Sequence, residues 1–155
     1  MKPLILILLL FLSVFIGCGV KEESKLSTDV NALAKNLNLE TKPIATQWKF
    51  TQIGDDLLGP ADYTIIAVLK YNHAEWLSLY NKHKELEPIN TNYISKDILE
   101  DRFPASVKAC FKDEGANLSL IRNTYEVDAF ARGAFIHGFC FFTDKDEVFV
   151  YTYTM

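Results

Sequence analysis

Residues 134–154 read AFIHGFCFF, then TDKDE, then VFVYTYT, and this pattern decides the fold. From Ala134 to Phe142 apolar side chains occupy both alternating sets of positions, as a strand covered on both faces requires. Thr143-Asp144-Lys145-Asp146-Glu147 is polar turn chemistry. From Val148 to Thr154 the chain returns with Phe149, Tyr151 and Tyr153 on one face. The stretch predicts a central strand, a turn and a second strand that returns.

Upstream, Thr46 to Ile53 alternates, with Trp48 and Phe50 on one face and Lys49 and Thr51 on the other, as expected of a half-buried strand near an edge. Gly54 to Pro60 is loop chemistry. Asp62 to Tyr71 places Tyr63, Ile65, Ala67 and Leu69 on one face and Ile66 and Val68 on the other, which predicts a central strand paired with its predecessor as a hairpin. A helix follows, with Asn72 as its cap and Glu75 three residues later, and with Trp76, Leu77 and Tyr80 on one face. A second helix is expected from Ser95, ending before Pro104. A third takes Pro104 or Ala105 into its first turn, turns Val107, Cys110 and Phe111 inward and ends at Gly115. Leu118 to Arg122 reads as a strand, and Tyr125 to Arg132 fits either class. Two strands, then helices, then three or more strands predict an α+β fold: an antiparallel β-sheet of about five strands with two or three short helices packed on one face.

The N-terminus carries an address. Lys2 precedes a run that is apolar from Leu4 to Ile16 apart from Ser13, and the run closes on Gly17-Cys18. One positive charge, a short apolar core and a small residue before the cut form a secretory signal, and the run is shorter than the roughly 20 residues of a spanning helix. Phe15-Ile16-Gly17-Cys18 resembles the lipobox of bacterial lipoproteins. That resemblance implies cleavage before Cys18, lipidation of its sulfur with diacylglycerol, and usually a further N-acyl chain. Two or more chains hold a protein firmly on a membrane. Lys21-Glu22-Glu23 is similar to the surface-export signal of Bacteroidota lipoproteins, and Gly19 stands where the inner-membrane retention signal of enteric bacteria has Asp. The expected organisation is a signal peptide over 1–17, a lipidated cysteine and polar tether over 18–42, and a single α+β domain over 43–155. The implied location is the outer membrane, lipid-anchored and either surface-exposed or facing the periplasm. Within 19–42, Leu26, Val30, Leu33 and Leu37 recur at helical spacing.

The formal net charge is −4 at pH 7, and loss of Lys2 with the signal makes it one unit more negative. Such acidity argues against nucleic acid, which needs basic patches. Cys110 and Cys140 each lie among apolar residues. Beyond the inner membrane they are a candidate disulfide, while buried free thiols would pack as small hydrophobes.

Catalytic patterns are sparse. His73 and His83 are ten residues apart on one predicted helix, about 15 Å along its axis, too far to share a metal. No zinc spacing, nucleophile motif or phosphate loop is present, so neither a metal nor another cofactor is expected. Glu126 and Asp128 form a possible acid–base pair of the kind most domains offer. The aromatic residues Trp48, Phe50, Tyr63, Tyr71, Trp76, Tyr80, Tyr151 and Tyr153 could pack a core or build a ligand groove. Trp48, Tyr63, Trp76 and His137 are the ligand-binding candidates. The functional expectation is a membrane-anchored envelope lipoprotein with a non-catalytic binding or accessory domain for a protein, glycan or small ligand. The alternative is an extracytoplasmic hydrolase.

Overall fold

The architecture follows from two long antiparallel hairpins laid side by side. The structure, a computed structural model, describes residues 26–53, 62–89, 93–99 and 102–155. The signal peptide, Cys18 and Lys21-Glu22-Glu23 lie outside the described residues, as does the loop at 54–61. Strands β1 (Ala45–Ile53) and β2 (Asp62–Lys70) pair with Trp48 opposite Ala67 and Phe50 opposite Ile65. Strands β7 (His137–Phe142) and β8 (Glu147–Tyr153) pair with Cys140 opposite Val150. β2 joins β8, and the short β6 (Tyr125–Glu126) adds to β7, giving the order β1-β2-β8-β7-β6. β1 is therefore an edge strand, and the strands with apolar residues on both faces are central, as expected.

Alternation along these strands sends side chains to two separate cores. Ile65, Ala67, Leu69, Cys140, Phe142, Val148 and Val150 belong to one. Ile66, Val68, Phe139, Phe141 and Phe149 belong to the other. The first core is closed by Leu33 of α1 (Val30–Leu33), by Leu37, and by Trp76, Leu79 and Tyr80 of α2 (His73–Lys84). Asn72 caps α2 by accepting from the Glu75 amide at 3.0 Å. The face of α2 that meets the sheet differs from the expected one: Leu77 is exposed, and Leu79 and His83 are buried in its place. His83 donates from Nδ1 to the Leu79 carbonyl at 2.8 Å, which makes it a satisfied core histidine.

The second core is covered mainly by a small sheet in the order β3-β5-β4, from β3 (Tyr93–Ser95), β4 (Phe111–Glu114) and β5 (Asn117–Leu120). The expectation of helices on one face is thereby corrected. Val107 of α3 (Ala105–Lys108) sits in this second core, opposite α1 and α2. The second expected helix is a single 3₁₀ turn, Lys96–Ile98. The third stops at Lys108, because the chain enters the β4–β5 hairpin. Gly115 ends no helix; at φ +88° it makes that hairpin's turn, and both roles need the same left-handed backbone.

Two further corrections follow. The segment 26–42, expected in the tether, is packed: Ser27 bridges to Trp48, and Leu33 and Leu37 have no exposed surface. Burial of two leucines outweighs the polar character of their neighbours. The candidate disulfide is not formed. Cys110 and Cys140 are free buried thiols in the two different cores, so the central sheet separates them. Desolvation raises both thiols above the ordinary cysteine range.

Candidate functional site

The second face of the large sheet carries a ladder of rings. His137 faces Tyr153 across β7 and β8, and Phe139 faces Tyr151. Their centroids lie 5.7 and 5.5 Å apart, and Tyr151 and Tyr153 are 5.7 Å apart along β8. The ladder continues through Phe149 to Phe141 at 4.8 Å and ends under Phe111 of β4, 5.5 Å from Phe141. At that end the small sheet and Phe103 seal the rings, and Phe141 and Phe149 are fully buried. At the other end the cover from the described residues stops short. His137, Tyr151 and Tyr153 remain half-exposed and floor a hollow of about 530 Å³, within the usual range for small-molecule sites. Its opposite wall is Tyr93, Ile94 and Ser95 of β3.

Two local features hold this end in shape. Glu126 pairs with Phe139, so its carboxylate falls on the same face as His137 and lines the hollow. Gly138 draws β7 against β8: at φ +134°, a Cβ there would lie 2.0 Å from the Tyr151 carbonyl oxygen and 2.8 Å from Thr152 Cα. Backbone this close admits only glycine.

The chemistry is that of a recognition shelf. Tyrosine presents an apolar ring face with a polar hydroxyl. The ring of His137 stacks on Tyr153 at an interplanar angle of 30°. An ionised Glu126 only accepts hydrogen bonds, so it suits ligand hydroxyl or amine groups. Ser95 adds a hydroxyl to the facing wall.

Of the four residues singled out from the sequence, only His137 lines this hollow. Trp48 is buried on the helix side, with its indole N–H donating to the Asp29 carbonyl at 3.1 Å. Tyr63 is half-buried at that core's rim, 5.2 Å from Phe50. Trp76 is sandwiched between Tyr80 at 5.2 Å and His73 at 6.0 Å, and donates to the Glu147 carbonyl. These three have core roles. Tyr151 and Tyr153 belonged to the wider aromatic set considered above. Tyr93 and Ser95 come from β3, whose place over the large sheet no local spacing records. Among the described residues, no three His, Cys, Asp or Glu side chains gather as a metal site, and no helix is long and apolar enough to cross a membrane. No protein-family model matches the chain, and neither the curated proteins nor the solved structures contain a match to it.

Proposed function

We propose that this protein is an outer-membrane lipoprotein, held by lipid on Cys18, whose domain binds a saccharide without transforming it. The observation that supports the binding reading is the half-exposed Tyr151–Tyr153–His137 shelf in the mouth between the two sheets. A sugar ring offers an apolar face to the tyrosines and hydroxyl donors to Glu126. The anchor reading rests on Gly17-Cys18 at the end of the apolar run. Only seven residues separate Cys18 from Leu26, which packs against the second core, so the anchor would keep the domain close to the bilayer.

The test is a glycan array probed with the mature protein in detergent micelles, beside its Tyr153→Ala variant. Binding to a defined saccharide that Tyr153→Ala abolishes supports the reading. An empty array, or binding indifferent to Tyr153, contradicts it. Anchoring is tested separately: Cys18→Ala must lose incorporation of a fatty-acid probe in cells.

A hydrolase is the second reading, and one observation favours it: Ser95, Glu126 and His137 line the same hollow. These are the residue types of nucleophile and acid–base chemistry. Turnover of a fluorogenic ester or glycoside that His137→Ala removes would establish it.

A further inference from the structure

A second hollow, of about 410 Å³, lies at the opposite end of β7, where β6 no longer covers its edge. Phe142, the last residue of β7, forms one wall, with Tyr80 of α2 and Tyr125 of β6 edge-on to it at 5.5 and 6.2 Å. Arg122, in the link from β5 to β6, enters from the side. Its guanidinium is a permanent charge with a planar fork of donors, shaped for a carboxylate. Among the described residues that line this hollow, none is acidic.

The fork is already engaged. Arg122 Nη1 and Nη2 donate to Oδ1 and Oδ2 of Asp144 at 3.0 and 2.5 Å. Asp144 stands on the β7–β8 turn, its side chain 76% exposed against 38% for Arg122. Asp144 is thus the more exposed partner, and Arg122 is the one that lines the hollow. Exposed ion pairs are screened by solvent and salt and contribute little to stability, bidentate Arg–carboxylate pairs being the stronger cases, so an incoming carboxylate of the same geometry competes for the fork on similar terms.

We infer that this hollow binds a small organic carboxylate with an aromatic or other flat apolar body. The ligand's carboxylate takes the Arg122 fork from Asp144, and its body packs against Tyr80, Tyr125 and Phe142. Asp144 is then a built-in competitor, which holds the fork until a ligand supplies both a carboxylate and a ring. One guanidinium between aromatic walls matches a single negative charge better than the double charge of a phosphate monoester. The site is separate from the saccharide shelf and does not depend on that reading.

The experiment titrates the mature protein, in micelles, with benzoate, 4-hydroxyphenylacetate and 3-phenylpropionate, each beside its neutral amide, by calorimetry. At least one acid is expected to bind and its amide to bind at least about tenfold more weakly, a difference of about 1.4 kcal/mol. Arg122→Gln should abolish the difference between acid and amide. Asp144→Asn should tighten acid binding severalfold, because it removes the competitor. A merely structural ion pair would give no such gain, and both partners are exposed enough for the variants to fold, which a melting curve verifies. Failure of all three acids to bind, equal binding of acid and amide, or unchanged or weaker binding in Asp144→Asn would overturn the inference.

Discussion

The two faces of the central sheet are built from the same alternating strands, yet the helix side is closed except at the hollow beside Phe142 and the other side only in part. On the helix side, α1, α2 and the Leu37 turn cover Ile65, Ala67, Leu69, Cys140, Phe142, Val148 and Val150 completely or nearly so. Even its histidine, His83, is buried and satisfied by the Leu79 carbonyl. On the other side, a small sheet of three- and four-residue strands covers Phe141 and Phe149 and leaves Tyr151, Tyr153 and His137 half-exposed. The ladder of rings is continuous across that boundary. The same aromatic pattern therefore serves as core where it is covered and as a shelf where it is not. The length of the covering element separates the two roles, and the residue types of the floor do not.

Several substitutions break or sharpen this contrast. The largest effect is expected on the sealed side. Phe142→Ala removes a ring packed by Trp76, Tyr80, His83 and Tyr125, and should cost about 3–5 kcal/mol in chemical denaturation. A loss no larger than that of a surface substitution would dissolve the distinction between the faces. Gly138→Ala comes next. It places a methyl group against the Tyr151 carbonyl on a left-handed backbone, and a loss of about 3 kcal/mol is expected from strain and overpacking. Near-neutral stability would mean that β7 and β8 lie further apart there.

Cys140→Ser puts a hydroxyl in the sealed core, where the sulfur donates to the Glu126 carbonyl at 3.7 Å, and should cost about 1–3 kcal/mol. In the unaltered protein, mass analysis should find both thiols alkylated after unfolding without reductant, and neither before. Modification that requires reductant would restore the disulfide. Tyr153→Ala, on the open side, should change stability by no more than about 1 kcal/mol while removing ligand binding. A loss as great as that of Phe142→Ala would show the shelf to be core.

The smallest effect is that of pH on the Arg122–Asp144 pair. The guanidinium holds the Asp144 carboxyl below its ordinary value, which is about 3.9. A depressed acid stabilises the fold above its unfolded value and loses that contribution as pH falls through the folded one. The dependence should therefore appear only below about pH 4 and fade with added salt, because the pair is exposed. An effect centred near neutrality would point to another group.

The large sheet was legible because its signals are local and redundant. Apolar residues on both sides of β2 and β7 mark them as central, and the split of Trp48 and Phe50 from Lys49 and Thr51 marks β1 as an edge. Asn72 announces α2. The small sheet was not legible, for two physical reasons. Val107, Cys110 and Phe111 satisfy helical spacing although only the first belongs to a helix, and Gly115 fits a helix end and a hairpin turn equally. The N-terminal boundary shifted because Leu33 and Leu37 were outnumbered by polar neighbours in a window that does not show what they meet. The groove was half-legible. Tyr151, Tyr153 and His137 stand out along their strands, but Tyr93, Ser95 and Glu126 join them only through pairings between strands distant in sequence.

The measurement that reaches the central claim most directly is backbone amide shift mapping of the mature protein in micelles during titration with a saccharide that binds on the array. The account predicts that perturbed amides cluster at Tyr93–Ser95, Glu126, His137–Phe139 and Tyr151–Tyr153, with α2 silent. Perturbations centred on α2 or around Arg122, with the Tyr151–Tyr153 amides unmoved, would contradict it.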